Sequence, residues 1–249
     1  AVTIAGLFIW AGDIVAVRDS RDETDTLPDP TPGVSFNGPL VVLTSRMSAS
    51  GAEIVAGALK DYRRGMIVGD KRTFGKGSVQ TMMPLPTGLG ALKTTIGLYF
   101  LPGGRSTQHS GVAADILIPS MSDTDEIGES SEPFALPTQT ISPFLSDNAT
   151  TDISDASWRP LTAATTETLA KKSAKRVGHN KELQEEKRRL QELEKNRGKV
   201  NLAELLREQK DAEKRAEDRR DRNRDEKLVS PQLREALEIL ADLVLTQKS

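Results

Sequence analysis

Leu40-Val41-Val42-Leu43-Thr44, then Ser48-Ala49-Ser50-Gly51, then apolar Ile54, Val55, Ala58, Leu59 and Tyr62, then Gly65-Met66-Ile67-Val68-Gly69: this stretch decides the fold. The first run has no polar alternation, so it reads as a strand buried on both faces, as in a parallel sheet flanked by helices. The turn is followed by apolar residues three and four apart, which predicts an amphipathic helix over 51–63. Met66 to Val68 gives a second short buried strand. Strand, serine-bearing turn, helix, strand is a βαβ order and points to an α/β core.

Outward from this unit, residues 14–18 (Ile-Val-Ala-Val-Arg) read as a strand, and 78–85 and 92–101 as two more. Residues 19–38 hold Pro28, Pro30, Pro32 and Gly33 among acidic residues, which is loop chemistry. Residues 120–160, rich in Ser, Thr, Asp and Pro, carry no sustained period and read as an irregular linker or covering segment. From 161 the chain turns helical. Leu183, Leu190 and Leu193 mark a sparse face, Asn201 with Glu204 resembles a capping box, and Ser230-Pro231 signals a last helix. That helix is expected to bury Leu233, Leu237, Leu240, Val244 and Leu245, while 207–227 stays solvated. The expected organisation is 1–119 as part of a catalytic α/β domain, 120–160 as the covering segment and 161–249 as a charged helical domain.

Composition narrows the chemistry. The 249 residues include no cysteine and two histidines, which excludes thiolate metal sites and a cysteine nucleophile and leaves little for zinc. No cofactor or metal is expected. Residues 171–249 hold 22 of the 34 Lys+Arg and 17 of the 36 Asp+Glu, a net +5, against −7 for the rest. Basic and acidic residues are interleaved there and no aromatic residue is present for stacking on bases, so nucleic acid is not the expected partner. No run reaches the 18 or more apolar residues of a membrane span. The chain opens at Ala1 inside an apolar stretch and reads as an internal fragment.

Two motifs could carry reaction chemistry. Ser50 lies where a strand gives way to a helix, so an oxyanion formed there would meet backbone N–H groups and the positive end of the helix dipole; the plain alternative is a helix N-cap. Gly75-Lys76-Gly77 is not a phosphate loop, because five residues separate Gly69 from Gly75 and Gly77 stands where a hydroxyl should ligand magnesium. The flanking glycines would let backbone approach closely and confine Lys76. His109, the one histidine of the α/β region, has no matching triad motif around it.

Taken in order, Gly38-Pro39-Leu40-Val41-Val42-Leu43, Ser48-Ala49-Ser50-Gly51-Ala52-Glu53-Ile54, Ala58-Leu59-Lys60-Asp61-Tyr62, Val68-Gly69-Asp70, Thr73-Phe74-Gly75-Lys76-Gly77-Ser78-Val79-Gln80, Gly103-Gly104-Arg105-Ser106-Thr107-Gln108, Gly111-Val112 and Asp115-Ile116 resemble the C-terminal processing peptidases, or tail-specific proteases. The helical remainder is similar to the C-terminal domain of the long, tail-specific branch.

The resemblance implies a serine endopeptidase with Ser50 as nucleophile, Lys76 as general base, Gln80 orienting the lysine amine, the Gly51 N–H as one oxyanion donor, and Glu53 and Asp61 in support. A serine hydroxyl needs an adjacent base. Lysine is a base only when neutral, which its ordinary pKa of about 10.4 disfavours near pH 7 and burial would favour. The resemblance also implies protein substrates recognised by apolar C-terminal tails, room for an adaptor protein, a bacterial periplasmic setting, and an upstream peptide-binding PDZ domain and oxyanion strand not contained in these residues. The isolated piece is therefore expected to be inactive. Gly51 stands where that family usually has alanine. A reading from another class is a non-catalytic interaction protein acting through the charged helical tail.

Overall fold

The computed structural model describes residues 1–31, 33–145, 158–196 and 229–248. The mixed α/β expectation holds. A short helix α1 (Val2–Gly6) leads into strands β1 (Asp13–Asp19), β2 (Thr24–Pro28) and β3 (Val41–Thr44), helix α2 (Gly51–Asp61), strands β4 (Met66–Gly69), β5 (Ser78–Pro84), β6 (Ala91–Phe100) and β7 (Ile116–Leu117), then helices α3 (Ala163–His179), α4 (Lys181–Lys195) and α5 (Pro231–Lys248). The strands form two sheets: four antiparallel strands in the order β2-β1-β6-β5, and three parallel strands in the order β3-β4-β7.

Strand β4 explains the layering. All four of its residues are buried. Ile67 joins a core with Val15, Ala56, Tyr99, Leu101 and Val112, on the side of α2 and the antiparallel sheet. Met66 and Val68, alternating with it, pack with Ile116 and Ile118 against Leu169, Val177, Leu183, Ala236, Ile239 and Leu243 of the three late helices. Side chains two apart share a face and neighbours oppose, so one uninterrupted apolar tetrapeptide joins two cores. A third cluster seats α1 on α2 through Ala5, Ile9, Ile14, Ala58, Leu59 and Tyr62, with Trp158. There Arg64 lies within 6.0 Å of the rings of Phe8, Phe36 and Trp158 and donates to the carbonyls of Phe8 and Phe36.

The structure revises two sequence expectations and adds one helix break that the sequence reading did not specify. Residues 19–38 contain β2, which pairs with β1 although all five of its residues are exposed; without a buried face it leaves no alternation in the sequence. The late helical stretch breaks at Asn180, whose Oδ1 accepts from the Glu182 and Leu183 N–H groups and starts α4. The buried face of α5 is rotated from the expected stripe. Ala236, Ile239 and Leu243 are buried, whereas Leu237 and Leu245 are 52% and 65% exposed. On that rotation Ile239 and Leu243 enter the core of the late helices, and Arg176 of α3 takes Glu235 in a forked pair at 2.9–3.2 Å and Asp242 at 2.7 Å beside them. On α4, Leu183 and Leu190 are buried and Leu193 is 47% exposed. Ser230 caps α5 by accepting from the Leu233 N–H. The expectations for 207–227 and for Asn201 with Glu204 lie outside the described residues.

Residues 120–145 contain no α-helix or strand beyond a 3-10 turn at Glu129–Ser131, yet they are sewn down. Ser120 and Ser122 donate to the Asp70 carboxylate, Arg46 donates to the Thr124 carbonyl, the Glu129 N–H to the Phe74 carbonyl and the Ile141 N–H to the Gly104 carbonyl. They cover the α/β core.

The rotation of α5 is checked by substitution. Ile239→Ala or Leu243→Ala should cost about 2–5 kcal/mol, the range for emptying a closed aliphatic site, whereas Leu237→Ala or Leu245→Ala should stay within about 0.5 kcal/mol. Urea midpoints of the four variants give the comparison.

Candidate active site

Strand β3 ends at Thr44, and residues 45–50 turn the chain into α2. Asp70 holds the turn by accepting from the Arg46 N–H, and Ser48 Oγ accepts from the Ser45 N–H. Ser50 sits at its sharpest point with φ 56° and ψ −116°, a region that non-glycine residues avoid. Such strain persists only where surrounding contacts enforce it. Here the enforcing group is Glu53, one turn into the helix.

Glu53 is fully buried. Its Oε2 accepts from the Ser50 N–H and the Lys76 N–H, both at 2.9 Å; its Oε1 accepts from the Gly75 N–H at 2.7 Å and from the Thr73 hydroxyl. Burial raises the pKa of this carboxyl, and the four hydrogen bonds pull against that rise. A single carboxylate thus binds the turn carrying Ser50 to the loop carrying Lys76, 26 positions away. Tyr99 closes the other side: its hydroxyl lies 2.7 Å from the Lys76 carbonyl and 3.2 Å from the Ser50 carbonyl, and accepts from Thr107 at 2.6 Å. Burial raises its pKa far above the ordinary phenol value, so it stays a donor.

The lysine loop is pressed against residues 106–109. The His109 N–H donates to the Gly75 carbonyl, the Gly77 N–H to Gln108 Oε1, and the Tyr99 N–H to the Gly77 carbonyl. Gly75 has φ +94°, and a Cβ on Gly77 would meet Ser106 Oγ and lie 2.7 Å from the Gln108 nitrogen. The close approach expected of the two glycines is what the geometry contains. His109 enters the site through its backbone.

Ser50 and Lys76 are therefore brought together by their main chains. The Lys76 amine itself hydrogen-bonds to Ser78, at 3.0 Å to Oγ and 3.2 Å to the carbonyl oxygen. Gln80 is exposed and places its amide 3.5 Å from Thr95 Oγ1, beyond a register shift between Val79 and Gln80 that passes over Ile96. Gly51 opens α2, among the first N–H groups that have no partner within a helix. Asp61, at the far end of α2, accepts from the Gly103 N–H at 2.7 Å and faces Arg105 at 3.6 Å, with its pKa raised by burial. It anchors the loop after β6 and stands at the opposite end of the helix from Ser50. Sequence reasoning left out Ser78 and Tyr99, since neither residue type at its position signals contact with a loop folded back on it. Among the described residues no cluster of His, Asp and Glu could hold a metal ion.

Comparison with known proteins gives a consistent picture. Residues 1–118 match peptidase family S41. The tail-specific protease of Haemophilus influenzae is 43% identical over 143 residues, covering 55% of this chain and 20% of that protein. A carboxy-terminal-processing protease of Bartonella bacilliformis is 41% identical over 119 residues, covering 47% of this chain and 27% of that protein. A chloroplastic C-terminal processing peptidase of Tetradesmus obliquus is 39% identical over 125 residues, covering 50% and 26%. The chain thus spans about a fifth to a quarter of the length of these relatives.

Two tests follow from the junction. Glu53→Ala strands three N–H groups and a hydroxyl in a closed site, and should cost roughly 3–5 kcal/mol, read by chemical denaturation. Gly51→Ala and Gly77→Ala should move in opposite directions. A Cβ at Gly51 would make an ordinary 3.7 Å contact with Ala1, so that variant should gain about 0.4–1 kcal/mol from the unfolded state. Gly77→Ala forces backbone apart and should lose about 1–3 kcal/mol. Thermal melts of the two glycine variants carry the comparison.

Proposed function

We propose, from the match of residues 1–118 to peptidase family S41, that this chain supplies the nucleophile and base of a serine endopeptidase of the C-terminal processing type. The observation that supports the reading most is the shared carboxylate of Glu53, which hydrogen-bonds the main chains of Ser50 and Lys76 through one oxygen. That oxygen sets the two main chains side by side, while the Lys76 amine rests on Ser78.

In the proposed reaction the neutral Lys76 amine accepts the Ser50 hydroxyl proton as Oγ bonds to the substrate carbonyl carbon. The oxyanion formed is stabilised by the Gly51 N–H and the N-terminal end of α2. The Lys76 ammonium returns its proton to the leaving amine as the C–N bond breaks, leaving an acyl-enzyme that water hydrolyses. Substrates are proteins recognised through apolar C-terminal tails, with an adaptor protein as a further partner. The bacterial cell envelope is the proposed location; the named relatives come from bacteria and a chloroplast. No helix among the described residues is long and apolar enough to cross a membrane.

The test uses the longest form of the protein that carries these residues. Ser50→Ala and Lys76→Ala should each lower peptide cleavage by at least 10³-fold, a loss of about 4 kcal/mol in transition-state stabilisation, with the fold unchanged by circular dichroism. Lys76→Arg should be equally inactive, because guanidinium does not give up its proton. Near wild-type rates in Ser50→Ala would require a different nucleophile.

A further inference from the structure

We propose that Ser78 is the residue that orients the Lys76 amine, a reading that rests on Lys76 being the base. Ser78 opens β5, pairs with Leu98 of β6 and is 7% exposed, so its position is set by the sheet. Both of its oxygens face the same amine, Oγ at 3.0 Å and the carbonyl oxygen at 3.2 Å. A neutral primary amine has two N–H bonds and one lone pair. Two acceptors from one residue occupy both N–H bonds and leave the lone pair as the remaining direction, which is what a base needs in order to take a proton from a neighbouring hydroxyl. After the transfer, the same two acceptors hold two N–H bonds of the ammonium and leave the third, newly formed one pointing at the leaving group. The Ser78 hydroxyl keeps its own proton throughout, and no further reactant is required.

Gln80, which the resemblance assigned to this task, is exposed, and its amide is placed 3.5 Å from Thr95. At the register shift after Val79 the pairing passes over Ile96 of β6, and beyond it Gln80 is exposed whereas Ser78 is buried. Ser78 is a positioning residue: it acts on the substrate through Lys76 alone.

The experiment has a spectroscopic and a kinetic arm. In the 249-residue chain labelled with 13C-lysine, the Lys76 Cε–Hε cross-peak is identified by its loss in Lys76→Arg. Ser78→Ala should move and narrow that peak as the side chain is released; Ser78→Thr, which keeps the hydroxyl, should restore it; Gln80→Ala should leave it in place. In the longest form that cleaves peptide, Ser78→Ala should lower kcat by about ten- to a hundredfold, the range for losing one hydrogen bond to a reacting group, with KM within about twofold, and Ser78→Thr should recover most of it. An unmoved Lys76 peak in Ser78→Ala, or a larger response in Gln80→Ala, overturns the assignment. Full cleavage by Ser50→Ala would instead remove the proposed function, and with it any task for an oriented amine, while leaving the Lys76–Ser78 contact visible in the spectrum.

Discussion

A carboxylate with four neutral donors holds this molecule's chemistry in register. Glu53 has no cationic partner among its hydrogen bonds; it is satisfied by three main-chain N–H groups and one hydroxyl. Main-chain donors are placed by the course of the backbone, so the carboxylate can be satisfied only when the Ser50 turn, residues 73–76 and α2 are all in their native positions. The same buried group that costs desolvation therefore acts as a check on assembly: a partly formed site leaves a charge in an apolar surrounding. The strained backbone of Ser50 is one local consequence.

The layers around this junction follow from β4. Its alternation sends Ile67 toward α2 and the antiparallel sheet and Met66 and Val68 toward the late helices, so the helical region and the α/β unit share a strand. The covering segment completes the arrangement by gripping both loops, through Arg46 and Asp70 beside the serine turn and through Phe74 beside the lysine. Arg46 is almost fully buried, and burial lowers its pKa; the carbonyls of Thr73 and Thr124 accept hydrogen bonds from its guanidinium.

What could be read in the sequence was whatever burial writes as a pattern. The β3-α2-β4 unit was legible because apolar runs and three-four spacing leave few alternatives, and the glycines beside Lys76 were legible because only a missing Cβ permits their approach to Gln108 and His109. Strand β2 was not, since an exposed edge strand has no face to encode. The face of α5 was not, because leucines occur on several sides of that helix and the core that takes Ile239 and Leu243 is built from α3, α4 and β4, far away in sequence. Ser78 escaped for a related reason: a serine two residues from a lysine is commonplace until the strand that starts there is known to turn both of its oxygens toward the amine.

The contrast between two ionic groups has a further meaning. Arg176 with Glu235 and Asp242 is an attraction between opposite formal charges at a partly open boundary, with the arginine side chain 31% exposed. Glu53 is held by dipoles in a closed one. Dissolved ions screen the first and have little purchase on the second, so rising ionic strength weakens the ion pairs that flank the terminal helix while the Ser50–Lys76 junction keeps its shape. Of these two joints the first is salt-sensitive and the second salt-indifferent, and the proposed chemistry sits at the second.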